Sequence, residues 1–127
     1  MKAVVLVRHA SAGDRKDWPG DDAERPLDKK GRRQAQALIQ ELAEYEFGRI
    51  VSSPAVRCVQ TVEPLAERLG LEVEQRDELM EGARREETLA LVDEVRSSGA
   101  VLCTHGDVVE ELLGARLKKG AAALLEP

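Results

Sequence analysis

Lys2-Ala3-Val4-Val5-Leu6-Val7-Arg8-His9 is the stretch that decides the fold. Its apolar residues do not alternate with polar ones, and valine dominates. A strand wet on one face alternates, whereas an unbroken apolar run belongs to a strand covered on both faces. Lys2 to Val7 therefore predicts an inner strand with helices above and below it. The run stops at two adjacent groups able to carry positive charge, Arg8 and His9. Charge at the end of a buried strand is costly unless an opposite charge meets it there. The same eight residues thus predict a layered fold and an anion site at its edge.

The rest of the chain alternates amphipathic stretches with short apolar runs. Segment 10–26 has no periodicity and holds Gly13, Pro19, Gly20 and several Asp, so it reads as a long loop. Asp28 caps a predicted helix running to about Tyr45, with Ala35, Leu38, Ile39 and Leu42 on its apolar face. Arg49 to Ser52 is a short second strand. Ser53-Pro54 predicts the start of a helix, with Ser at the cap and Pro at the first helical position. Val59, Val62, Ala66 and Leu69 would face inward, with a kink or break at Pro64 and a stop at Gly70. Leu71 to Glu74 reads as a third strand, and Glu86 to Arg96 as a helix burying Leu89, Val92 and Val95. After Gly99, Ala100 to Thr104 is a fourth, buried strand. Gly106 to Leu117 is a helix with Val108, Val109, Leu112 and Leu113 inward, and Ala121 to Leu125 is a last strand. The expectation is an α/β fold: a three-layer α/β/α sandwich around a mostly parallel sheet, with residues 1–127 as one domain. Ligands of such sheets bind beyond the carboxyl ends of the strands.

Composition narrows the partners. The 127 residues are 43% hydrophobic and 34% charged, which supplies both a core and a solvated surface. No stretch approaches the ~20 apolar residues of a membrane span. The apolar run before Arg8 is also too short for a signal peptide, so the expectation is a cytoplasmic protein with no membrane partner. A net charge of −5 and only three aromatic residues argue against nucleic acid. Cys58 and Cys103 are too few for a disulfide framework, and Cys103 lies in an apolar run where a thiol acts as a small hydrophobe. An anionic substrate must therefore be held by a local cluster of Arg and His against the overall field.

Such a cluster is visible at the strand ends. The first strand ends in Arg8-His9, and the second feeds a helix with Arg57 in its first turn. The fourth ends in Thr104-His105-Gly106, so both histidines of the chain stand where a strand turns. Helix starts after Ser53 and after His105 add backbone N–H groups, those near Gly106 included, toward the same edge. That is a phosphate site in physical terms. Competing phosphate chemistries fail on particular residues. A cysteine phosphatase loop needs Arg six positions after Cys, where Cys58 has Pro64 and Cys103 has Val109. No Gly-x-x-x-x-Gly-Lys-Ser/Thr run exists. An aspartyl-phosphate enzyme would want Asp where His9 stands, and two histidines make no complete metal-ligand set. The expectation is no metal and no cofactor.

Leu6-Val7-Arg8-His9-Ala10 resembles the signature of the histidine phosphatase superfamily, which has the phosphoglycerate mutase-like fold. Arg25-Pro26-Leu27 with Gly31-Arg32-Arg33-Gln34-Ala35 is similar to the segment its small SixA-type phosphohistidine phosphatases carry next. Ser52-Ser53-Pro54-Ala55-Val56-Arg57-Cys58 resembles the second arginine motif, and Thr104-His105-Gly106-Asp107 the second histidine motif. The four stand in family order and span nearly the whole chain. The resemblance implies His9 as nucleophile, Arg8, Arg57 and His105 as clamps on the phosphoryl oxygens, and Arg25 as a further contact. Leu79-Met80-Glu81-Gly82 is similar to the segment that supplies a proton donor, with Glu78 the alternative to Glu81. Ala10 replaces the commoner glycine, and there is no room for the cap insertions of mutase-type members, so this is a minimal form.

The substrate expected from this resemblance is a phosphorylated protein carrying phosphohistidine, or a small phosphorylated molecule. The loop from Gly13 to Arg25 also resembles the phosphatase half of certain actinobacterial proteins in which a Nudix domain precedes it and the substrate is a nucleotide. A nucleotide phosphatase is therefore an alternative, and a non-catalytic phosphate-binding regulatory module is another. The oligomeric state has no signature in the sequence.

Overall fold

The computed structural model describes residues 2–125. Among them, five strands form one sheet: β1 (Val4–Arg8), β2 (Arg49–Ser52), β3 (Val73–Gln75), β4 (Ala100–Thr104) and β5 (Ala122–Leu125). Their order is β3-β2-β4-β1-β5. The first four run parallel, and β5 lies antiparallel against β1. The helices are α1 (Lys29–Glu41), α2 (Val56–Leu69), α3 (Arg85–Val95) and α4 (Gly106–Leu113).

The two-residue period of the inner strands sorts their side chains into two cores. Val5, Val7, Val101 and Cys103 pack with Leu38 and Leu42 of the α1 region and with Val62 and Leu65 of α2. Val4, Leu6, Val51 and Leu102 pack on the opposite face with Leu91, Val92 and Val95 of α3 and Val109 of α4. The fold is thus the expected three-layer α/β/α sandwich around a mostly parallel sheet. Each fully buried leucine, such as Leu38 or Leu102, contributes roughly 2 kcal/mol through lost apolar surface.

Several boundaries differ from the sequence reading, each for a local reason. β1 begins at Val4 and takes in Arg8, while Lys2 makes only an isolated bridge to Glu46. Loop 10–26 contains two single-turn 3-10 helices, Arg15–Asp17 and Asp22–Glu24, each capped by the Asp before it. Asp28 does cap α1, accepting the Gly31 N–H, but the helix ends at Glu41 rather than near Tyr45. β3 is shifted to Val73–Gln75. α4 stops at Leu113 because Gly114 takes the left-handed conformation at φ +68°. Pro64 does not break α2, which runs through it with Val62, Leu65 and Ala66 packed on either side. Leu69 and Leu89 face solvent, and Leu65 and Leu91 do the burying instead.

Ser53 is not the cap of α2 either; the helix starts at Val56 behind Ala55. The Ser53 hydroxyl accepts the Ala55 N–H at 3.2 Å and turns toward His105.

Candidate active site

β1 and β4 are neighbours, with Arg8 opposite Thr104. The His9 N–H continues that ladder onto the Thr104 carbonyl at 3.0 Å. His9 and His105 therefore leave adjacent parallel strands side by side, where strands lie about 4.8 Å apart. Their rings meet edge to face with centroids 5.6 Å apart.

His9 is buried, and its Nδ1 lies 2.9 Å from the Ala10 carbonyl. A carbonyl only accepts, so Nδ1 carries the proton and Nε2 keeps a free lone pair. Burial pushes the His9 pKa down to about 3. The positive charges of Arg57 and Arg8 and the neighbouring His105 push the same way, and the Ala10 carbonyl opposes them. The ring is thus neutral near pH 7. Thr61 holds the turn beneath it, accepting the Ala10 N–H at 2.9 Å and donating to the Arg57 carbonyl at 2.6 Å.

Arg57 is 2% exposed, so its charge is almost wholly enclosed. Its Nη1 donates to the Asp22 carbonyl at 2.7 Å, and its Nη2 lies 3.1 Å from the Asp22 carboxylate. Arg8 donates from Nη1 to the Leu117 carbonyl at 2.9 Å. In both arginines the buried Nε has no hydrogen-bond partner among the described residues. Unpartnered buried N–H groups are rare and costly, and these two belong to guanidiniums lining one cleft. Gly106 sits under Arg8, where a Cβ would come within 3.1 Å of the guanidinium carbon. His105 Nδ1 is 3.4 Å from Arg57 Nη2, and its Nε2 is 2.9 Å from Ser53 Oγ. Because arginine only donates, Nδ1 accepts and the Nε2 proton goes to Ser53.

These groups line a polar cleft of about 520 Å³ together with Arg25, Glu81 and Gly106. Of the residues put forward from sequence, Arg8, His9, Arg25, Arg57, Glu81, His105 and Gly106 thus line one cleft, and Glu78 does not. α4 opens onto the cleft through Gly106 and Asp107, whereas α2 reaches it through Arg57. Arg25 is buried and committed to the loop: Nε pairs with Asp22 at 2.9 Å and Nη1 donates to the Ala12 carbonyl at 2.6 Å. Glu81 rather than Glu78 faces the cleft; Glu78 pairs with Arg76 at 2.7 Å. The Glu81 segment is tied down on three sides. Asp107 accepts the Gly82 N–H at 2.8 Å, Thr104 donates to the Leu79 carbonyl at 2.6 Å, and Thr88 donates to the Glu78 carbonyl at 2.8 Å.

Sequence reasoning missed Arg15, Asp22, Ser53, Thr61 and Asp107 as parts of the site. Thr61 follows Arg57 by four residues, the spacing of one helix face, and that signal was available. Asp107 is an acid in the first turn of a helix, which by itself reads as a dipole partner. Arg15 and Asp22 lie in an aperiodic loop that carries no pattern. Among the described residues, no group of three His, Cys, Asp or Glu side chains is placed to hold a metal ion. No described helix is long and apolar enough to cross a membrane.

Comparison with known proteins places this geometry in context. Residues 4–89 match the histidine phosphatase superfamily (branch 1). An 8-oxo-(d)GTP phosphatase from Mycolicibacterium smegmatis is 38% identical over 119 residues, covering 88% of this chain and 36% of that protein. The chain thus spans about a third of the length of that curated relative. A solved structure assigned as phosphohistidine phosphatase SixA from Agrobacterium tumefaciens superposes with a TM-score of 0.79 at 26% identity, covering 97% of this chain and 90% of that one. A second structure with the same assignment, from Nakamurella multipartitia, gives 0.68 at 33% identity, covering 85% and 61%.

Proposed function

The chain belongs to the histidine phosphatase superfamily (branch 1), and from that premise we propose that it is a phosphatase working through a covalent phosphohistidine on His9, without a metal. The observation that carries this reading is the neutral His9 ring, with Nδ1 committed to the Ala10 carbonyl, beside two guanidiniums whose buried Nε groups lack partners. Nε2 attacks phosphorus, and the bond to the leaving group breaks as the P–N bond forms. Arg8, Arg57 and His105 hold the phosphoryl oxygens, and the backbone at Gly106 adds the positive end of a helix. Such a transfer needs little beyond positioning and charge stabilisation. Water then attacks the phosphohistidine and returns the electron pair to Nε2.

For the substrate, we propose protein phosphohistidine first, on the likeness to the SixA-assigned structures over nearly the whole chain. A small phosphorylated molecule such as a nucleotide is the second reading. It is favoured by the 8-oxo-(d)GTP phosphatase relative and by an open rim carrying Lys119 and Arg15.

The test is hydrolysis of p-nitrophenyl phosphate in EDTA. The parent should keep its rate, His9→Ala should lose about a thousandfold or more, and Arg57→Ala about a hundredfold in kcat/KM. Acid-labile phosphate should be trapped on the parent and absent from His9→Ala. Equal rates in parent and His9→Ala would overturn the proposal, and loss of the parent rate in EDTA would overturn its metal-free form.

A further inference from the structure

Among the described residues, four arginines and one lysine line the cleft. Asp22 serves three of them, at 3.1 Å from Arg57, 2.9 Å from Arg25 and 3.2 Å from Arg15. Burial pushes the Asp22 carboxyl up, but the hydrogen bond from Arg25 and the charges of Arg57, Arg25 and Arg15 outweigh it and hold the group below its ordinary value. Arg8 and Lys119 have no such acid: among the described residues neither forms an ion pair. The Arg8 guanidinium donates only to the Leu117 carbonyl. Lys119 is exposed and so stands at the rim of the cleft. Its backbone is fixed there. Gly120, next in the chain at φ +82°, donates its N–H to the Arg8 and His9 carbonyls at 3.0 and 3.1 Å. Gln34 Nε2 donates to the Lys119 carbonyl at 3.1 Å, and Gln34 Oε1 accepts the Ser11 N–H at 2.9 Å. One turn tied to the nucleophile thus carries a cation that no acid of the protein matches, and a ligand must supply the matching anion.

We propose that Lys119 is a specificity-determining residue that binds the second phosphate of a phosphoanhydride, the group that leaves. The inference rests on the phosphatase reading above and deepens its second, small-molecule form. Arg8 and Arg57 are taken up by the transferred phosphoryl group, which leaves Lys119 for a further anion. In an in-line transfer the leaving atom lies beyond phosphorus as seen from His9 Nε2, toward the rim. A second phosphate is one bridging oxygen from the phosphorus under attack. That is a short reach for a residue whose neighbour hydrogen-bonds the carbonyl of the nucleophile itself. In the first step the P–N bond to His9 Nε2 forms, the bridging P–O bond breaks, and its electron pair stays on the departing phosphate. Lys119 meets the charge gained there as a point charge. A phosphate is an anion near pH 7 and needs no proton to leave. Water then cleaves the P–N bond and releases inorganic phosphate.

Because Lys119 is exposed, replacing it spares the core. The experiment compares parent, Lys119→Gln, Lys119→Arg and Lys118→Gln in EDTA on inorganic pyrophosphate and on p-nitrophenyl phosphate, which has no second phosphate. In Lys119→Gln, kcat/KM for pyrophosphate should fall about tenfold, the scale of one charge-assisted hydrogen bond, while that for the aryl ester stays within about twofold. Lys119→Arg should keep most of the pyrophosphate rate. Lys118→Gln, exposed and outside the cleft, should match the parent on both substrates. Equal falls on the two substrates would overturn the proposal, as would an equal fall in Lys118→Gln or a parent that hydrolyses only the aryl ester.

Calorimetry supplies an arm that needs no turnover. The parent should bind pyrophosphate about tenfold more tightly than inorganic phosphate, and Lys119→Gln should remove most of that difference. A parent without the preference, or a preference that survives Lys119→Gln, would sink the idea. A parent that binds pyrophosphate through Lys119 yet never forms phosphohistidine would instead count against the phosphatase reading.

Discussion

Burial of one imidazole ties the site to the stability of the protein. His9 titrates at about 3 when folded, against 6.5 for the free side chain. Between those values the unfolded chain binds a proton that the folded one excludes, so stability rises with pH across that window and falls as acid is added. Above pH ~6.5 the contribution is flat. Urea titrations at pH 7 and 4.5 should show this directly. His9→Asn, which cannot titrate, should lose about 2 kcal/mol less than the parent over that interval. Equal losses would mean the ring is not kept neutral by burial.

Among the elements, α1 is placed by one missing side chain. Gly31, in its first turn, faces the loop that follows His9, and a Cβ there would stand 1.9 Å from the Ser11 carbonyl oxygen. That oxygen accepts the Asp28 N–H at 3.1 Å, and the Ser11 hydroxyl donates to the Asp28 carboxylate at 2.7 Å. The helix start and the loop leaving the nucleophile are therefore one packed unit. Gly31→Ala must push them apart. It should destabilise the protein by about 1–3 kcal/mol, read as a lowered urea midpoint, and should also lower p-nitrophenyl phosphate turnover because the His9 turn moves with the loop. Full retention of both would show that the two segments part without consequence.

Across the whole molecule, the site is assembled from residues 8, 9, 57, 81 and 105, carried by three strand-to-helix junctions and one loop. No segment holds a working subset of them. β4, fully buried, carries His105 at its end and supports the Glu81 loop through Thr104. Activity and global structure should therefore vanish together: in urea, the midpoint for loss of p-nitrophenyl phosphate hydrolysis should coincide with that for far-UV circular dichroism. Activity lost well before the helices unfold would mean that a loop, not the sheet, sets the integrity of the site.

Much of this protein is local and was legible in the chain. The valine run of β1, the buried β4, the Asp28 cap and the glycine stops follow from period and backbone preference, which act over a few residues. That His9 and His105 stand at strand ends follows as well. Tertiary structure alone decided which strands are neighbours. Only the β1–β4 pairing, between segments almost a hundred residues apart, puts the two rings in contact. It also decided that Glu81 turns to the cleft while Glu78 turns to Arg76, and that Ser53 orients an imidazole instead of capping a helix. Those choices depend on charges and hydroxyls meeting across the fold, and a side chain's partner at such range leaves no periodic mark in the sequence.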